Sequence, residues 1–229
     1  MMKNPAEFGT VSRKKIGIGL DNDFIEVYDF YKPEQDCKNA IEVFEEFAND
    51  KDSKSAGLSF FNKNRDKICT QSTFDLRGDI SINSYIYKYV NTGLKSYVKK
   101  YDFLDVFFDK PWCRISPHYN VQRYDGNKEG YFSLHNEQSG MYPYRMLVWM
   151  IYLNDAKSGT EFPYQNKTIT PKTGRTVIWP ASWTHPHKGV TPNEGVKYIA
   201  TGWFYFLPKG NPLFDGRHPD EERIQEIVV

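Results

Sequence analysis

The chain has 229 residues, enough for one substantial core, and its 30 basic and 29 acidic residues leave a net charge of +1. That balance asks for neither a nucleic acid nor an anionic membrane as an obligatory partner, and no stretch approaches the ~20 consecutive apolar residues of a membrane span. An aromatic content of 16% suits a β-rich protein with wide, flat side chains between its sheets.

Three widely spaced cysteines, Cys37, Cys69 and Cys113, argue against a disulfide framework and for small buried apolar roles in a reducing compartment. No Cys-x-x-Cys occurs, so a structural zinc knuckle is not expected. The N-terminus lacks the apolar run of a signal peptide. The expectation is a soluble, cytoplasmic protein.

In chain order, residues 1–20 read as a loose leader or a first edge strand, and residues 24–28 as a short strand. Pro33 and Glu34 open a helix to about Ala48, because Cys37, Ala40, Ile41, Phe44 and Ala48 recur at three- and four-residue steps behind an acidic first turn. Residues 49–57 form a charged loop, and 49–79 is a candidate substrate lid. A longer helix over 80–99 places Ile82, Ile86, Val90 and Leu94 or Tyr97 on one side; Gly93, costing about 1 kcal/mol relative to alanine, weakens its end.

From Trp112 the pattern turns to strands. Residues 114–124 alternate, 125–130 are rich in turn formers, and Arg145 to Leu153 is an apolar run of a strand buried on both faces. Residues 174–179 form another strand, and 196–206 a third with Lys197, Ile199, Thr201, Trp203 and Tyr205 on one face. Helices first and then five or more closely spaced strands fit a mainly β jelly roll with helices on one sheet. One domain is expected, with helical support over about 30–100, a core over about 112–206 and a tail over 207–229.

Within that core stands Tyr131-Phe-Ser-Leu-His135-Asn-Glu137. In an extended segment, side chains two apart leave the same face, so His135 and Glu137 can grip one ion from one side. A histidine about fifty positions on completes the two-histidine, one-carboxylate set of non-haem Fe(II) oxygenases. Both His185 and His187, in Thr184-His-Pro-His187-Lys-Gly-Val, stand in range. Taken alone, His-x-Glu is a weak motif. His118 and His218 lack partners at ligand spacing and read as ordinary histidines.

Four blocks strengthen it: residues 145–155, Ser158-Gly-Thr-Glu-Phe-Pro163, Pro171 to Pro180, and His187 to Trp203. In order and spacing they resemble the core of the prolyl 4-hydroxylase-like Fe(II)/2-oxoglutarate-dependent dioxygenases, most closely phage and bacterial members. The resemblance implies a double-stranded β-helix form of jelly roll, with Fe(II) held by His135, Glu137 and His187. It favours His187 over His185, because the family's distal ligand stands ten residues before the base that holds 2-oxoglutarate, here Lys197. Most members carry aspartate where this chain has Glu137; a carboxylate at that place implies hydroxylation and not halogenation.

By the same resemblance, Lys197 pairs with the distal carboxylate of 2-oxoglutarate, Tyr124 (or Tyr119) donates to it, and Thr160 lines the cosubstrate pocket. Trp179 and Trp203 default to packing, and Arg145 either meets substrate or caps the sheet edge. The implied reaction consumes 2-oxoglutarate and O2, hydroxylates an aliphatic C–H and releases succinate and CO2. A prolyl residue of a protein or peptide is the leading substrate, a small molecule being the other class. The rivals are a cupin-like protein with a different metal, such as a zinc hydrolase, and a non-catalytic module on the same fold.

Overall fold

The computed structural model describes residues 23–49, 66–108, 113–126 and 128–206, and the backbone of 59–63. The leader, most of the loop over 49–57, His218 and the tail over 207–229 lie outside the described residues.

Among the described residues, twelve strands and three α-helices follow one another as β1 (Glu26–Tyr28), α1 (Glu34–Asn49), β2 (Ser59–Lys63), β3 (Lys67–Asp75), α2 (Ser81–Lys100), α3 (Asp105–Phe108), β4 (Cys113–Ile115), β5 (His118–Asp125), β6 (Gly130–Tyr131), β7 (Arg145–Tyr152), β8 (Gly159–Phe162), β9 (Lys167–Ile169), β10 (Thr176–Pro180), β11 (Lys188–Val190) and β12 (Val196–Phe206). Nine strands form one antiparallel sheet in the order β1-β10-β7-β12-β5-β3-β2, with β4 added to β12 and β6 to β3; β11-β8-β9 form a second sheet. The strongly curled antiparallel arrangement is the jelly-roll, double-stranded β-helix fold.

Alternation along the central strands divides the interior in two. From β7, Leu147, Trp149 and Ile151 pack with Ala200 and Phe204 of β12 and with Phe44, Ile82, Ile86 and Tyr97 of the helices. Val148, Met150 and Tyr152 point the other way and pack with Ile199 and Trp203, Phe162 of the small sheet, and Trp179. One face therefore carries the helical support, and the other closes into the hollow of the roll.

Several elements differ from the sequence expectation. The strand over 114–124 is two strands: Pro117 has no N–H for a ladder, Ser116 N–H instead donates to the Trp203 carbonyl (2.7 Å), and the chain re-enters pairing at His118. Helix α2 continues to Lys100 without faltering at Gly93, where a Cβ would stand 3.2 Å from Tyr28 Cδ2 and 3.3 Å from Ile178 Cδ1. The glycine gives the helix its close approach to β1 and β10. Within the candidate lid over 49–79, the described part holds a hairpin, with Ser59–Lys63 pairing to Ile68–Ser72, and β3 pairing onward to β5 over Thr70–Asp75.

Gly202 is the tightest point of the central sheet. It lies opposite Trp149 in the β12–β7 register, and a Cβ there would sit 2.4 Å from Trp149 Cζ2 and 2.6 Å from Cε2. Trp149 is fully buried, so the ring has nowhere to retreat. Gly202→Ala is expected to lose about 1–3 kcal/mol of stability through overpacking, read as a lower urea midpoint at an unchanged m-value.

Candidate functional site

The site forms where two short chain segments meet, not on a long strand. His135 and His187 make an isolated antiparallel bridge: His135 N–H donates to the His187 carbonyl (3.0 Å) and His187 N–H to that of His135 (2.8 Å). Two residues on, Glu137 N–H donates to the Ala181 carbonyl (3.1 Å) just past β10. The expected same-face pairing of His135 and Glu137 is thus achieved through a bridge and a bend.

His135, Glu137 and His187 each offer one ligand atom, all within 4.8 Å of one another, and form a group able to hold a metal ion. Both imidazoles are fixed in the tautomer a metal requires. His135 Nδ1 lies 2.9 Å from the Ser133 carbonyl and His187 Nδ1 3.1 Å from that of His185. A carbonyl only accepts, so Nδ1 carries the proton in each ring and the Nε2 lone pair is free. Each Nε2 stands 3.7 Å from Glu137 Oε1.

Aromatic neighbours hold the ring planes. Tyr131 stacks on His135 with centroids 3.6 Å apart, and Trp179 meets His187 edge-on at 5.1 Å. Burial disfavours charge on Glu137, yet the two imidazoles it faces, when they carry a second proton, donate to it and hold its carboxyl well below the usual carboxylate range; a bound cation takes the place of those protons. The donor set therefore suits a hard or borderline divalent ion: one anionic oxygen, two neutral nitrogens, and the facial grouping that leaves other positions open.

His185 lies outside the group. Its Nε2 donates to the Asp23 carbonyl (2.8 Å) and its Nδ1 faces Thr184 Oγ1 (2.9 Å), so both nitrogens are engaged in joining this loop to the start of the described chain. His118 lies at the surface 3.6 Å from Asp75.

Glu137 and His187 open onto a cavity of about 370 Å³ whose wall also includes Tyr124, Thr160 and Lys197. Lys197 is 2% exposed, and its Nζ donates to the Val190 carbonyl at 3.3 Å and rides 4.8 Å over the Tyr124 ring. Burial pushes its ammonium down to about 8. A buried cation with one long hydrogen bond to a neutral carbonyl is a poor structural element and a good receptor for a carboxylate.

Tyr124 and Thr160 reach the cavity with their protons already committed. The Tyr124 hydroxyl donates to Gln122 Oε1 (2.6 Å). Tyr152 donates to the Ile169 carbonyl (3.2 Å), so in the 2.7 Å contact between Tyr152 and Thr160 the threonine is the donor. Tyr119, the alternative to Tyr124, faces the helices and donates to Asn83 Oδ1 (2.8 Å), away from the cavity.

Sequence reasoning missed a rail of polar groups along the same wall. Gln122 Nε2 and Lys67 Nζ both donate to Gln71 Oε1, at 2.8 and 2.9 Å. Gln122 shares its face of β5 with Asn120 and Tyr124, and that spacing of two was the available signal. It also left Arg145 open and gave Trp203 to packing. Both reach Glu137, with Arg145 Nη1 and Trp203 Nε1 at 2.9 and 3.0 Å from Oε2.

Residues 119–205 match the family model described as the 2OG-Fe(II) oxygenase superfamily. No curated protein matches the chain. Among solved structures, it is similar to the viral collagen prolyl hydroxylase of Paramecium bursaria Chlorella virus-1 in its 2OG complex, with 19% identity over 82% of this chain and 99% of that one and a TM-score of 0.56. A prolyl-4-hydroxylase of Pseudomonas putida gives 14% identity, coverages of 82% and 96%, and a TM-score of 0.60. A prolyl hydroxylase of Trichoplax adhaerens, in complex with a hypoxia inducible factor peptide fragment, gives 15%, coverages of 82% and 86%, and 0.55.

At these identities the structural likenesses speak for the fold, which is that of the prolyl hydroxylases. The family match speaks for the chemistry and does not favour a cupin-like hydrolase or a non-catalytic module. It covers β5 through nearly all of β12, the strands and loops that enclose the cavity, and over these residues the chain is similar to the 2OG-Fe(II) oxygenase superfamily, which supports a 2-oxoglutarate-dependent dioxygenase.

Proposed function

We propose that His135, Glu137 and His187 hold the Fe(II), that Lys197 receives the distal carboxylate of 2-oxoglutarate, and that the C–H hydroxylated belongs to a prolyl residue of a protein or peptide. The observation that carries the reading is the shared cavity: Glu137 and His187 line the space into which the buried Lys197 ammonium also opens, and His135 belongs to the same group of ligand atoms. A small dicarboxylate that chelates a metal with one end and meets a cation with the other suits that pairing.

Bound Fe(II) with 2-oxoglutarate and O2 supplies the oxidising chemistry, ending in succinate, CO2 and a hydroxylated carbon. The protein's part is orientation and exclusion of water. The two bridge hydrogen bonds fix the imidazoles relative to each other, and the Nδ1–H bonds to Ser133 and His185 fix their tautomer. Lys197, anchored over Tyr124, sets which end of the keto acid enters first. Tyr124 contributes its ring as a platform while its hydroxyl orients Gln122.

A polypeptide substrate is supported by the side-chain amides of Gln71, Asn120 and Gln122 on the cavity wall, since a carboxamide both donates and accepts as a peptide backbone does. Peptide hydroxylation by the solved relatives points the same way. The test is 2-oxoglutarate turnover, read as succinate, in the presence of proline-rich peptides, polypeptides without proline, and free amino acids. Stimulation by the first class alone supports the prolyl reading; stimulation by free amino acids overturns it.

Two further outcomes are expected. After anaerobic loading, His187→Ala is expected to lose stoichiometric Fe(II) while His185→Ala keeps it and melts at a lower temperature; metal analysis beside thermal melting separates them. For Lys197, the ammonium is the form that binds a carboxylate and burial has lowered its pKa to about 8, so affinity is full below that value and declines above it. The 2-oxoglutarate Kd is expected to rise about tenfold between pH 7 and pH 9, measured by anaerobic calorimetry, and Lys197→Met to bind weakly at both.

A further inference from the structure

We propose that Arg145 and Trp203 are positioning residues that clamp the outer oxygen of Glu137, so that this longer carboxylate offers the metal a single oxygen; the proposal rests on the ligand assignment above. The two oxygens of Glu137 have different surroundings. Oε1 faces both imidazole Nε2 atoms at 3.7 Å, while Oε2 accepts from Arg145 Nη1 at 2.9 Å and from Trp203 Nε1 at 3.0 Å. Two N–H donors occupy the two lone pairs of an sp² oxygen, so Oε2 has little left for a cation and Oε1 has everything.

The clamp is itself held by its neighbours. The Arg145 guanidinium lies 3.5 Å over the Trp203 ring and 4.0 Å over that of Tyr142, sandwiched between two aromatic faces. Its Nη1 also donates to the Glu137 backbone carbonyl at 3.2 Å, tying backbone and side chain of the ligand to one cation. Arg145 begins β7 and Trp203 lies on β12, and these strands pair directly, with Trp203 opposite Val148. The rigid central sheet therefore reaches out to a ligand that stands on a loop.

A glutamate has one more rotatable bond than an aspartate, and an unrestrained one can swing or chelate through both oxygens. The donors on Oε2 remove that freedom and withdraw electron density from the carboxylate. Arg145→Met removes the charge, Arg145→Lys keeps one charged donor, and Trp203→Phe keeps the ring while losing the indole N–H.

The experiment is anaerobic Fe(II) titration of the full chain and these variants by calorimetry, then addition of 2-oxoglutarate with its visible charge-transfer band on iron recorded, beside apoprotein melting. Arg145→Met and Trp203→Phe are expected to weaken Fe(II) binding roughly 10- to 100-fold and to move the band to lower energy, because a carboxylate freed of donors makes the iron more electron-rich. Arg145→Lys is expected to lie between them and wild type. Unchanged affinity and band in variants of a wild type that does bind overturn the clamp alone. Weakened affinity with an unmoved band also overturns it, marking a general structural effect. A wild type that binds no Fe(II) overturns the ligand assignment and the clamp with it.

Discussion

The reciprocal hydrogen bonds between His135 and His187 are the constraint on which the site depends. They join two loop segments that lie far apart in sequence and belong to no extended strand, and they set the two imidazoles side by side with centroids 4.4 Å apart. A two-bond bridge is weak by itself, since each net hydrogen bond contributes only about 1 kcal/mol. It persists because its neighbours are fixed: β6 pairs with β3, β11 with β8, and Ala181 next to β10 accepts from the backbone N–H groups of both Glu137 and Gln138. The small sheet and the large one meet through this bridge.

The large sheet supplies what the bridge cannot. Its outward face packs on α1 and α2, and polar pairs tie it there: Arg123 bridges Glu45 at 2.8 Å, and the Tyr198 hydroxyl donates to the same carboxylate. Anchored on one side, β5, β7 and β12 can devote the other to function, and there they carry Gln122 and Tyr124, Arg145, and Lys197 with Trp203. Most buried polar groups on that face pair with one another, Tyr124 with Gln122 and Gln122 with Gln71. Lys197 holds one long bond to a carbonyl, and its ammonium is weakened accordingly. A fold that keeps such a group buried forgoes stability at that position.

The resemblance between this chain and the prolyl hydroxylases lies in the fold. Identities of 14–19% with TM-scores of 0.55–0.60 mean that few side chains are shared while the roll is kept. The outer oxygen of Glu137 stands within reach of an arginine on the sheet and an indole beside it.

Much of this was legible in the sequence. Apolar spacing gave α1 and α2, the unbroken run after Arg145 gave the central strand, and the ordered blocks from 145 to 203 pointed to the jelly roll and its oxygenase chemistry. The candidate residues His135, Glu137, His187 and Lys197 were named from spacing and resemblance. What the sequence left open followed from the same physics. Strand β3 escaped notice because Lys67 and Gln71 are polar where they line the cavity, and periodicity reads only burial against apolar neighbours. The turning of Tyr124 toward Gln122 and the hold of Arg145 and Trp203 on Glu137 were decided by tertiary structure alone. Each depends on which atom of one strand stands within hydrogen-bond reach of another, and no one-dimensional spacing carries that distance.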